Sequence, residues 1–142
     1  MPPRFIVHIG PPKTGTSSLQ EALSQNRGQL LAQGYDYPRF GRHPEMPHLP
    51  GHHGIAESLQ QRQMLPDRFA DALHQLSGAQ RVIFSSENFA HLKPEAVQQL
   101  VQALGPDNVE IIYYARRWEQ LLPSVWQELI KHGHSQSYLE FL

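Results

Sequence analysis

Apolar and polar positions along the chain alternate between a strand-like and a helix-like rhythm. Arg4 to Ile9 is a short β-rich run that suits a buried parallel strand. The spacing then predicts a helix from about Thr16 to Ala32, with Leu19, Ala22, Leu23, Leu30 and Leu31 toward the core and Gly34 ending it. Ile55 to Gln63 and Pro66 to Leu76 read as helical; Pro66 suits a first-turn position, and Phe69, Leu73 and Leu76 share a face. Gln80 to Ser85 is a second strand. Pro94 to Leu104 is a helix closed by Gly105, with Val97, Leu100, Val101 and Leu104 apolar. Asn108 to Tyr114 is a third strand, and Arg117 to His132 is mostly helical. Its apolar stripe of Trp118, Leu121, Leu122, Val125, Trp126 and Leu129 reads as core. The closing SQSYLEFL looks like the start of another helix.

Strands alternating with helical segments imply an α/β layered domain with a parallel sheet and crossover helices. Ligands of such sheets bind beyond the carboxyl ends of the strands. Three polar stretches should therefore converge there: GPPKTGTSS from Gly10, SSENF from Ser85 and ARRWE from Ala115.

Composition narrows the partners. A length of 142 residues suits a single domain, 1–142, and a formal net charge of -1 gives no basic excess, so no nucleic-acid partner is expected and any anion site must be local. No apolar run approaches membrane-spanning length and the N-terminus has no signal-peptide core, which makes no membrane partner and a cytoplasmic location the expectations. The absence of cysteine excludes disulfides and thiolate chemistry. Prolines and histidines cluster in Tyr35 to Gly54, the longest stretch without clean periodicity, which reads as an acceptor-facing loop or solvated surface. His43, His48, His52 and His53 could suggest a metal site, with His48 and His52 four apart. The surrounding prolines oppose a regular helix and no nearby Asp or Cys completes a ligand set, Glu45 alone not sufficing, so no metal site is expected. His8, within the first strand, reads as a satisfied core histidine.

The first of the three stretches has the form of a phosphate loop. Pro11 and Pro12 lack an N–H, so donation to an anion begins at Lys13 and continues through Thr14, Gly15, Thr16, Ser17 and Ser18 at a helix N-terminus. A strand-to-helix turn whose hydroxyls merely cap the helix is the plainer alternative. Gly10 and Gly15 have the spacing of an ATP-binding loop, but Thr16 stands where that loop keeps its lysine, and the second strand ends in Ser-Ser-Glu rather than an apolar run closed by Asp.

PKTGTSSLQ resembles instead the 5′-phosphosulfate loop of sulfotransferases that use 3′-phosphoadenosine 5′-phosphosulfate (PAPS). Arg116, after NVEIIYYA, and Ser124, in the following helix, resemble that family's 3′-phosphate arginine and serine, eight residues apart and trailed by S-x-W-x-E. The resemblance covers Ile6 to about Gly133. It implies a three-layer α/β/α fold of the P-loop, sulfotransferase type. It also implies a nucleotide held by Lys13, Thr14, Gly15, Thr16, Ser17, Ser18, Arg116 and Ser124, with Lys13 catalytic against the bridging oxygen and no metal required. Because family members run longer and close the sheet with later segments, the chain looks like the N-terminal part of such an enzyme.

Glu87, at the end of the second strand, resembles the glutamate that some carbohydrate sulfotransferases use as general base. It reads equally as a carboxylate at a helix start, and His91 is a weaker rival. Pro123 precedes Ser124, so the helix either kinks there or becomes regular only near Pro123, which would bring Ser124 to a helix N-terminus. The expected function is transfer of a sulfuryl group from PAPS to a hydroxyl or amine of a small-molecule or carbohydrate acceptor. The alternatives are a small-molecule or nucleotide kinase with a degenerate ATP loop, and a non-catalytic domain binding adenosine 3′,5′-bisphosphate (PAP).

Overall fold

The computed structural model describes residues 3–62, 64–76 and 78–142. Strand β1 (Arg4–Ile9) forms where the sequence predicts it, with Phe5, Val7 and His8 buried. It lies between β3 (Arg81–Ser85) and β4 (Val109–Tyr113), parallel to both. A further strand, β2 (Tyr35–Asp36), pairs in parallel with β3 at Arg81 and Val82, giving the order β2-β3-β1-β4. The protein is thus an α/β domain with a four-stranded all-parallel sheet, compatible with helices layered on both faces.

Helix α1 (Thr16–Gln25) stops short of its predicted end, and a separate α2 (Arg27–Ala32) follows. Asn26 makes the break: its side-chain amide and its backbone N–H both donate to the Ala22 carbonyl, at 2.8 and 3.1 Å. The predicted core stripe is corrected as well. Thr16 and Gln20 are the buried residues of α1, while Ala22 and Leu31 are exposed. Gly34, at φ 82, ends α2 as the sequence expects.

Tyr35 to Gly54 is anchored in the core at both ends, where Asp36, Tyr37, Pro38, Gly51 and His52 are buried, while its middle, residues 44–48, is exposed as expected. Tyr37 and His52 are fully buried, their rings meeting edge to face at 4.7 Å, and Tyr37 donates to the Pro50 carbonyl. The segment leads into α3 (His53–Glu57), continued by a π-helical turn over Ser58–Arg62. Gln63, the predicted end of that helix, lies outside the described residues. Pro66 stands ahead of α4 (Phe69–Gln75) rather than inside it, in a turn closed from Phe69 N–H to the Pro66 carbonyl.

Helix α5 (Pro94–Leu104) starts and ends as predicted, but buries Ala96 with Leu100 and Leu104, leaving Val97 exposed. The core centres on Phe5, Val7, Val82 and Phe84 of the sheet, with Ile55, Leu59, Phe69, Phe89 and Leu100 packed round them. At the other edge β4 exposes Ile111 and Tyr113. Helix α6 (Trp118–Lys131) is helical through Pro123 from its first residue, so Ser124 sits in its interior and not at its N-terminus. None of its residues is buried, and Trp118 is 69% exposed, so its apolar stripe is a half-covered face and not core. The short α7 (Tyr138–Phe141) opens on a complete capping box between Ser137 and Glu140.

Candidate functional site

The three polar stretches do meet at the carboxyl ends of the strands. After β1 the chain must turn sharply into α1, and Gly10 makes that possible. A Cβ there would fall 2.0 Å from the Thr16 methyl, so any side chain would drive the loop off the helix. Lys13 and Gly15 both have left-handed backbone, at φ 70 and 83. For lysine this conformation carries strain of about 1 kcal/mol, tolerated where surrounding contacts fix it. Arg116 provides one such contact, donating 2.7 Å to the Lys13 carbonyl. Thr14 provides another from within the loop, its hydroxyl turned back onto the Pro11 carbonyl at 2.7 Å.

Thr16 is buried at the start of α1, whereas Ser17 and Ser18 are exposed on its first turn. The amides of that turn have no partner within the helix, and the positive end of α1 faces the same side. Across from the loop, Tyr113 to Arg116 leave the end of β4. Together they line a cleft of about 590 Å³ with Lys13, Thr14 and Gly15. Arg116 also donates to the Ser124 hydroxyl of α6 at 3.2 Å, which joins the arginine to that helix. Lys13, Arg116 and Ser124, far apart in sequence, are therefore neighbours.

Glu87 belongs to an adjoining cluster. It opens a 3-10 turn, Glu87–His91, capped by the Ser86 hydroxyl, so its position at a helix start is real. Its Oε2 nevertheless turns to α1 and accepts from Gln20 Nε2 at 3.2 Å, and His53 Nδ1 lies 3.9 Å away. Gln20 Nε2 also reaches the Ser85 hydroxyl, and His53 bonds to Ser86. The carboxylate is a quarter exposed, enough for a ligand to reach. His91 is exposed on the far end of the same turn.

Two histidines tie the clusters to the core. His8 is buried, bonded through Nδ1 to Ser85 and set edge-on against Tyr114 of the cleft wall. Its Nε2 has no partner among the described residues, so it is only half satisfied, against expectation. Burial lowers its pKa, with Glu87 opposing weakly. His52 accepts the Ser85 N–H at Nδ1 and donates from Nε2 to the Pro38 carbonyl, which fixes its tautomer. Desolvation pushes its pKa down to about 3. With both nitrogens committed to backbone it cannot pair with His48 on a metal, and His43 faces Glu57 at 3.0 Å. Among the described residues no group of three or more metal-ligating side chains forms.

Sequence reasoning overlooked Gln20, weighed His53 only as a metal ligand and gave no role to Glu128 within S-x-W-x-E, although it meets Lys13 at 2.6 Å. Glu128 had a signal: it stands four residues after Ser124, on the same helical face. Gln20 had the equivalent spacing from Thr16.

The chain matches no family model, no curated protein and no solved structure.

Proposed function

We propose that the protein is a PAPS-dependent sulfotransferase, or the cofactor-binding part of one, acting on a hydroxyl or amine of a small-molecule or carbohydrate acceptor. The observation that carries the reading is the meeting of Lys13 and Arg116 at one cleft between the β1–α1 loop and the end of β4, with Ser124 bonded to Arg116 behind it.

The residues fit a nucleotide carrying anionic groups at two ends. A loop with a glycine that admits no Cβ, two left-handed residues and free first-turn amides suits a 5′-phosphate. Arg116 presents a planar fork and Ser124 a hydroxyl for a second phosphate. PAPS, when bound, supplies the sulfuryl group that is transferred. Lys13 places a cation where charge grows on the leaving oxygen, and Glu87 takes the proton of the acceptor. Gln20 and His53 hold that carboxylate in one orientation. Thr14 keeps the loop closed rather than facing the ligand.

The kinase alternative draws less from the geometry, since position 16, where an ATP loop has lysine, is a buried threonine packed on Gly10. The test is a transfer assay with radiolabelled PAPS and a panel of sugar, phenol and amine acceptors. Glu87→Gln should lower turnover about 100-fold or more while leaving PAP affinity within about twofold. Turnover unaffected by Glu87→Gln would remove the base assignment. PAP binding without any transfer would leave a nucleotide-binding domain.

A further inference from the structure

Helix α6 brings a charge to the cleft that the proposed reaction does not use. Lys13 Nζ donates to Glu128 Oε2 at 2.6 Å, linking positions 115 residues apart. The same carboxylate has two other nitrogen groups within reach at the end of its own helix. Lys131 Nζ lies 3.8 Å away and His132 Nε2 3.5 Å away.

We propose that Glu128 is a positioning residue that stands in for an anionic ligand at Lys13: it holds the lysine until such a ligand displaces it, and then pairs with Lys131 and His132. The proposal rests on the nucleotide reading of the cleft and adds its regulation. Three observations support it. Lys13 reaches out of the loop to α6, and its ammonium can donate to a phosphate or sulfate oxygen as it does to the carboxylate. The hydrogen bond from Lys13 holds the Glu128 carboxyl below its ordinary range, so the carboxylate is ionised near neutrality. Helix α6 buries none of its own residues, so a shift of its face disturbs little packing.

The consequence is selectivity by charge. A monoanion gains no more from Lys13 than Glu128 already provides, whereas a phosphosulfate or bisphosphate brings charge enough to displace the carboxylate. Lys13 is also held in one place by Glu128 without ligand, which reduces the ordering that binding must otherwise impose. Because the two side chains are 31% and 39% exposed, the effect should be modest.

The experiment compares wild type, Glu128→Gln, Lys13→Ala and the double variant by calorimetric titration with PAP and, separately, with inorganic pyrophosphate. Glu128→Gln should bind about fivefold more tightly than wild type. In the Lys13→Ala background the same change should have no effect, a non-additivity that a merely structural role would not produce. Acetylation of Lys13 by an active ester, followed by peptide mass spectrometry, should quicken in Glu128→Gln. Binding of both probes unchanged or weakened in Glu128→Gln overturns the proposal, as does unchanged Lys13 acetylation. Pyrophosphate tightened by Glu128→Gln without PAP binding to any variant would support the stand-in and remove the nucleotide reading. PAP binding to wild type with no response to Glu128→Gln would do the reverse.

Discussion

Lys13, Arg116 and His52 illustrate how differently single residues are constrained here. Lys13 and Arg116 are held by contacts at the surface, and their worth lies in what they present to a ligand. His52 is held inside, where loss of hydration outweighs two hydrogen bonds and disfavours the imidazolium. The unfolded chain takes up that proton at an ordinary pKa of 6.5, the folded chain only near 3. Stability should therefore fall as pH drops from 6.5 toward 3, because the unfolded state binds the proton first. His8, also lowered, acts with the same sign. His52→Asn can still donate and accept but does not titrate. Urea denaturation should show it less stable than wild type at neutral pH yet with a shallower loss on acidification. Parallel acid profiles would show that His52 is not the group responsible.

At the scale of elements, the loop between β1 and α1 depends on the absence of one side chain. Gly10→Ala would place a methyl on Thr16, so the loop must shift and its left-handed residues move with it. PAP affinity should fall about tenfold or more, with a loss of thermal stability of about 1–3 kcal/mol by calorimetry. Gly15→Ala meets no atom within 4 Å, so its cost should be confined to the positive φ, about 1 kcal/mol. Equal effects of the two on binding would contradict this account of the loop.

The elements also show which features were legible in the residues. β1, β3, β4 and α5 were, because apolar runs bounded by Pro, Gly and polar residues leave few alternatives. The break at Asn26 was not, since the periodicity runs on across it and the competing bond to Ala22 is a local detail. β2 was hidden because two residues carry no period. Lys13, Arg116 and Ser124 were legible through motif spacing. Spacing puts Glu128 on the face of Ser124 and Gln20 on that of Thr16, but not what they meet: their partners Lys13 and Glu87 come from distant segments.

For the whole molecule, packing is lopsided. Phe84 sits at the centre of the core, stacked on Phe5 at 6.2 Å and meeting His52 at 5.1 Å. Ile111, on the edge strand, is half exposed. Phe84→Ala should cost about 3–5 kcal/mol, whereas Ile111→Thr should cost about 0.5 kcal/mol or less; urea midpoints compare them directly. Comparable losses would mean that β4 is covered in solution. The same asymmetry leaves the cleft resting on a well-packed half, β1 with β3, and a sparsely packed one, β4 with α6. No helix among the described residues is long and apolar enough to cross a membrane.

The central claim is that Lys13 and Arg116 form one site for a nucleotide with phosphates at both ends. Calorimetric titration with PAP in the absence of metal, beside ATP with magnesium, tests it most directly. The account predicts that PAP binds wild type and that Lys13→Ala and Arg116→Ala each weaken it about tenfold or more. Binding of ATP with magnesium but not of PAP, or PAP binding indifferent to both substitutions, would contradict it.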